Sequence, residues 1–306
     1  IVDLEFGGIT TFASETGPFV HHPTQTTLNA DVGRHGTACL EILRDCAPGV
    51  GPVYAIREGS NLSIEDVSNW LRTRNPMPKV VSHSTAYFGY PGNGASSDAA
   101  RAAAASGIYW VVAAGNFADE EYWEANNPNF VGTLVEFSSG ATGNVIQTFP
   151  GQSTVSVVFS YERPNTSFAT LRAVLYANSG SGFQAVDFGS GASQSQLAST
   201  PRNPGTTYAV GIERTTSGSV GRMRLQISDG SSKLQYFNLE GSMSNPAAVN
   251  DPRIISVGAV SAFTYNATSS PASYSSRGGG IFNLRLDLCA PTNVSTASQG
   301  LFAGTS

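Results

Sequence analysis

KVVSHSTAYFGYPGNGASSDAARAAAASGIYWVVAAGN, residues 79–116, decides the fold. The short run KVVSHS (79–84) is followed by an alanine-rich helical segment near Asp98 to Ser106, and then by the apolar run IYWVVAAGN (108–116). Strand, helix and strand in succession read as a βα unit of a parallel sheet, with Gly107 placed to stop the helix. Working outward, the same alternation extends to the start of the chain through IVDL (1–4), a helical segment from His35 to Cys46, VYAI (53–56) and a helical segment from Ser63 to Arg72. Ser63 and Asp66 have capping-box spacing at the start of that last segment.

Past residue 127 the pattern changes. STVSVVFSY (153–161), FATLRAVLYAN (168–178), TTYAVGIER (206–214) and GRMRLQISD (221–229) alternate with period two, separated by Gly, Ser, Asn and Pro clusters. Such runs predict antiparallel strands of a sandwich or jelly roll. RIISVGAV (253–260) and LDLCAP (286–291) restore the first pattern. The predicted fold is therefore α/β, a parallel sheet flanked by helices, interrupted by an inserted antiparallel β-sandwich of jelly-roll type. Its divisions are 1–127, 128–241 and 242–306.

The chain has 306 residues, 40% of them hydrophobic and 13% charged, enough to bury a sizeable core. A net charge of −5 without runs of Lys or Arg excludes the electrostatic footprint of a nucleic-acid binder. No apolar stretch approaches the ~18 residues of a membrane span. Cys39, Cys46 and Cys289 lack CxxC spacing, so neither a zinc site nor a disulfide framework is indicated. Within one regular helix Cys39 and Cys46 cannot bridge, because seven residues rise ~10 Å and a disulfide needs Cα atoms within ~7 Å. All three read as small buried residues. Low lysine with abundant Ser, Thr, Asn and Gly suits a secreted protein.

In open α/β sheets functional groups gather beyond the carboxyl ends of the strands. Asp3, His35, Asn116 and Ser306 all occupy such places. A serine hydroxyl becomes a nucleophile when an imidazole takes its proton, and the imidazole needs a carboxylate to fix its tautomer. An amide side chain can donate to the oxyanion that forms on the attacked carbonyl. These residue types fit acyl transfer. His83 reads as a buried histidine with a satisfied ring, and Asp119, Glu120, Glu121 and Glu124 read as a solvated acidic face, the alternative being a nearby cleft biased towards basic side chains. Tyr122, Trp123 and Phe130 read as anchors at the start of the insert.

IVD around Asp3, GRHGT around His35, VVAAGN ending at Asn116 and GTS ending at Ser306, in that order, resemble the motifs of the subtilisin-like serine proteases. RIISVGAV followed by ASYSSRG (272–278) and LDLCAP resembles the stretch that leads to the family's nucleophile. The resemblance implies a subtilisin-like sheet and a serine endopeptidase in which Ser306 attacks, His35 shuttles the proton and Asp3 orients His35. The Asn116 side chain and the Ser306 backbone N–H would hold the oxyanion.

The resemblance also implies that Ser84, Thr85 and Ala86 offer backbone to an extended substrate, and that Ala113, Ala114 and Gly115 line a specificity pocket. Its implied partners are a peptide or protein substrate and a propeptide or inhibitor. No cofactor is required for the chemistry, no metal ligand can be named, and structural calcium is a family habit for which no ligand motif matches here. In thiol-bearing members a free cysteine lies close to the imidazole, the position of Cys39. The family's nucleophile opens a long helix that does not follow Ser306, so the resemblance implies a segment that is inactive by itself. The alternative is a catalytically silent scaffold whose insert binds a polymer or a protein; a third reading passes the acyl group to an amine.

Overall fold

Strand, helix and strand follow the quoted stretch in a computed structural model of the chain, which describes residues 1–59, 61–189, 195–266 and 268–305. The first strands are β1 (Val2–Asp3), β2 (Ile56–Arg57), β3 (Val80–His83) and β4 (Tyr109–Ala113). The helices are α1 (Ala13–Thr16), α2 (His35–Cys46), α3 (Ile64–Arg72) and α4 (Ala95–Ala105). With Ile254–Ser261 and Leu288–Thr292 the four strands make a six-stranded sheet, every pairing parallel. Its order is Leu288–Thr292, Ile254–Ser261, β4, β3, β1, β2. The chain steps from β1 to β2 on one side and then returns to β3 on the other. That reversal leaves a crevice at the carboxyl ends of β1 and β3, where α/β sheets bind ligands.

The alanines of α4 explain how it packs. Ala99, Ala100, Ala103 and Ala104 recur at helical spacing, are all buried, and let the helix lie close to Trp110 and Val112 of β4. Ser68 of α3 donates to the Ala99 carbonyl at 2.8 Å, joining α3 to α4. The Ser63–Asp66 capping box forms and satisfies two of the first free amides of α3. Gly107, at φ +90°, ends the α4 turn in a conformation that favours glycine. α4 begins at Ala95, three residues before the sequence placed it, because Gly94 already breaks the preceding loop.

Antiparallel pairing occupies the middle of the chain. One sheet includes Leu171–Asn178, Thr207–Arg214 and Gln184–Phe188. A second, of four strands, runs Ser195–Pro201, Thr154–Tyr161, Arg222–Ile227 and Tyr122–Asn126. Val157, Phe159, Leu175, Val210, Ile212 and Leu225 fill the core between them. Each such buried side chain contributes ~1.5–3 kcal/mol relative to an exposed one. Trp123 joins this core and Phe130 packs at its edge, while Tyr122 is fully buried.

In one respect the structure departs from the period-two expectation. The polar positions of the four-stranded sheet are buried as well: Ser156, Ser160, Arg224 and Gln226 are each less than a tenth exposed. Their face is turned to the rest of the molecule, and Arg224 donates to the Met243 carbonyl at 2.9 Å. Among the described residues, no helix is long and apolar enough to cross a membrane.

Candidate active site

Asp3 closes β1 and His35 opens α2, so two short elements bring together residues 32 positions apart. Asp3 Oδ2 lies 2.7 Å from His35 Nδ1. Its other oxygen, Oδ1, accepts the Leu4 amide at 2.7 Å. The carboxylate is 2% exposed, and fixing it at both oxygens sets the tautomer: Nδ1 carries a proton toward Asp3, and once the ring is neutral Nε2 keeps its lone pair for a second partner.

Gly36 permits the close approach. A Cβ there would meet the Phe6 ring at 2.7 Å and Asp3 Cβ at 2.8 Å. The Gly36 amide donates to the Glu5 carbonyl at 2.8 Å, so the first turn of α2 is tied to the chain just after β1. The Phe302 ring stands edge-on to the imidazole at 4.9 Å and covers one side of it. Burial opposes charge on His35, but hydrogen bonding to Asp3 and Cys39 and the Asp3 charge carry its pKa up to about 10.

Asn116 follows β4 and is exposed at the rim of the same crevice. Its Oδ1 accepts the Thr305 amide at 3.2 Å, which turns the Asn116 NH₂ group away from that contact and frees it to donate. The Thr305 hydroxyl in turn accepts the Gly115 amide at 3.1 Å. Gly115, at φ +102°, has no room for a side chain: a Cβ would meet the Phe117 ring at 2.7 Å. Ser276 completes the support, accepting the Phe117 amide at 3.0 Å and donating its own amide to the Gly115 carbonyl at 2.9 Å.

A cavity of about 480 Å³ opens between these groups. His35 and Asn116 line it, as do Ser84, Ala86, Ala113 and Gly115 from the expected substrate positions. Thr85 and Ala114 are buried and do not line it. Ala114 instead donates its amide to Val257 in the neighbouring strand. Ser306 lies outside the described residues.

Sequence reasoning passed over Thr305, Ser276, Phe302 and Gly36 as individual site residues. Thr305 and Ser276 sat inside quoted motifs, but nothing in a motif tells which hydroxyl turns back to support a loop. Asp119 and Glu121 also line the cavity, where the sequence suggested a solvated face. Burial first, then the charges of Asp229 and Asp119, push the Glu121 carboxyl up to about 7 against the pull of Lys233.

His83 is buried with both ring nitrogens engaged: Trp110 Nε1 donates to Nδ1 at 3.1 Å and Nε2 lies 3.3 Å from Glu58. Since Trp110 can only donate, Nε2 carries the His83 proton. All three cysteines are free. Cys39 is buried with Sγ 3.9 Å from both Asp3 Oδ2 and His35 Nδ1. Cys46 is exposed at the end of α2, against the buried role expected of it. Among the described residues, Asp3, His35 and Cys39 form a group of possible metal ligands, with donor atoms within 4.8 Å of one another. Asp3 Oδ2 and His35 Nδ1 are already committed to each other, so a cation would have to displace that hydrogen bond.

No protein-family model matches the chain. No curated protein matches it either. Among solved structures, the chain is similar to one described as the Clostridium perfringens CspB protease, with a TM-score of 0.52 at 13% sequence identity. The match covers 84% of this chain and 60% of that one, so the chain spans less than two thirds of that protein's length. A likeness at this identity shows a shared fold and nothing finer. The family assignment drawn from the motifs is therefore corrected: neither family models nor curated proteins return the subtilisin-like proteases, and what the comparisons establish is a mixed α/β fold shared with a protein described as a protease.

Proposed function

We propose that the chain is a serine peptidase acting through an acyl-enzyme. The observation that supports it most is the Asp3–His35 hydrogen bond of 2.7 Å, at the rim of a cavity that Asn116 also lines. The description of the structural neighbour as a protease agrees with it. In this reading Ser306 Oγ attacks the scissile carbonyl carbon as its proton passes to His35 Nε2. Asp3 holds the resulting imidazolium, and the Asn116 amide with the Ser306 N–H donates to the oxyanion. The C–N bond then breaks as His35 returns the proton to the leaving amine, and water repeats the sequence to release the acid. Peptide or protein is the substrate. We also propose that the chain acts outside the cell, and that an antiparallel unit is inserted between the two parts of a catalytic domain, its first strand, Tyr122–Asn126, standing before the expected boundary at 127/128.

The test uses the full-length protein and its Ser306→Ala and Asp3→Asn variants, exposed to a fluorophosphonate and weighed intact. One adduct is expected, absent in Ser306→Ala. In Asp3→Asn peptide hydrolysis should fall by ~10⁴-fold, the loss seen when the carboxylate of another such triad is neutralised. A folded wild-type protein that takes no label would overturn the reading and leave a binding scaffold in its place.

A further inference from the structure

We infer that the cavity beside His35 and Asn116 takes a cationic side chain of the peptide, lysine or arginine, with Glu121 as the residue that selects it. The inference rests on the peptidase reading of the same cleft.

Its basis is where the carboxylates point and what they are paired with. Asp119 and Glu121 line the cavity, together with Gly230 of the loop that carries Asp229. Glu120 between them adopts φ +64°, a left-handed conformation uncommon for a side chain of this kind. Three backbone bonds hold that turn: Glu120 N–H to Ala118 O at 3.0 Å, Leu234 N–H to Glu120 O at 2.7 Å and Ile227 N–H to Glu121 O at 2.8 Å. Asp119 and Glu121 are thus fixed in the wall of a formed cleft.

Charge balance separates Glu121 from its neighbours. Lys233 Nζ is 3.0 Å from Asp119 and 3.9 Å from Glu120, so the nearby ammonium is already engaged. Asp229 is held by donors of its own: the Ser156, Ser231 and Ser232 amides and the Gln152 side chain, all at 2.8–3.1 Å. Glu121 is half-buried, and among the described residues the one opposite charge acting on its carboxylate, Lys233, is engaged by Asp119, with no hydrogen bond to Glu121. A half-buried carboxylate without a partner is costly, and a guanidinium or ammonium entering the cavity removes that cost through a charge-assisted hydrogen bond.

The groups acting on Glu121 also give the site a pH dependence. Burial first, then the charges of Asp229 and Asp119, disfavour its ionised form and Lys233 favours it, so it ionises at about pH 7. His35 lines the same cavity and opposes a cation, but it titrates near 10 and holds one state across neutrality. Preference for a cationic side chain should therefore strengthen from pH 6 to pH 8.

The test separates binding from turnover. Full-length Ser306→Ala protein is titrated with paired peptides that differ only in arginine or its neutral isostere citrulline, at pH 6 and pH 8, by calorimetry. At pH 8 the arginine peptide should bind about 10-fold or more tighter, the range expected for a hydrogen bond to a charged group. That advantage should shrink at pH 6 and disappear when Glu121→Gln is added. Equal affinities, binding of neither peptide, or a preference that survives Glu121→Gln would each overturn the inference. The arginine–citrulline comparison is made with Glu121 intact, so it holds even if the Gln variant fails to fold. Wild-type protein with the arginine peptide then tells the two ideas apart: selective binding without cleavage sinks the peptidase reading alone, and cleavage without preference sinks this one alone.

Discussion

His35 carries the proton whose position decides whether the site can work. In the unfolded chain a histidine titrates near ~6.5. Folding buries it, which disfavours the charge, yet Asp3 and Cys39 together raise it to about 10. A pKa raised on folding means that the charged pair's stabilisation is fully present below about 6.5 and is lost as the pH climbs through about 10. In the proposed peptidase the chemistry has the opposite sign, since only the neutral imidazole can accept a proton from a serine. Peptide hydrolysis should rise with pH toward about 10 while thermal stability declines over the same window. A kcat/KM profile and melting curves from pH 6 to 11 check both. Asp3→Asn should move the titration to lower pH. A rate that is flat from pH 7 upward would show that His35 is not the group being titrated.

Helix α2 and strand β1 make the site by meeting closely, and the contact depends on one missing side chain. Gly36→Ala would press a methyl into Phe6 and Asp3 at under 3 Å, into groups that are both buried. Overpacking of this kind costs ~1–3 kcal/mol, and here the displaced atom belongs to the residue that orients His35. We expect a lower urea midpoint together with a larger loss in kcat than in KM; unchanged kcat with lowered stability would mean that Asp3 holds its place regardless.

Much of this element layer was legible in the sequence. The helical segment read from His35 to Cys46 and the Ser63–Asp66 cap appear as read, and the apolar runs around 80–83, 109–113 and 254–261 are strands. These signals are local, a hydrophobic period or a side chain that bonds its own backbone. Two-residue strands such as Phe130–Val131 and Leu134–Val135 carry no period to read. The facing of Glu121 and the buried polar face of the four-stranded sheet are set by distant segments, and a sequence pattern does not report those.

At the scale of the whole molecule, the parallel and antiparallel sheets are joined through polar groups. Arg224 is 1% exposed, donates to Met243 O and stacks its guanidinium 5.0 Å from the Tyr122 ring. Across the strand pair from it, Glu124 accepts the Tyr122 hydroxyl at 2.5 Å and the Ile281 amide at 2.8 Å. Burial pulls the Arg224 pKa down and pushes that of Glu124 up, so each charge is costly alone and tolerable beside the other. The attraction acts through space rather than through a contact ion pair, and Arg224 Nε and Nη1 meet no hydrogen-bond partner among the described residues. Arg224→Ala should be destabilising through the lost packing and the lost bond to Met243 O, whereas Arg224→Met, which keeps most of the volume, should cost less when combined with Glu124→Gln. Urea midpoints of the single and double variants close the cycle. Coupling above ~0.5 kcal/mol is expected for groups in one network, and additivity within that margin would mean that the two charges are held independently. Because Gly230 and Glu121 of the antiparallel part line the same cavity as His35, loosening this joint should also weaken peptide binding, a loss that a purely local effect on the four-stranded sheet would not produce.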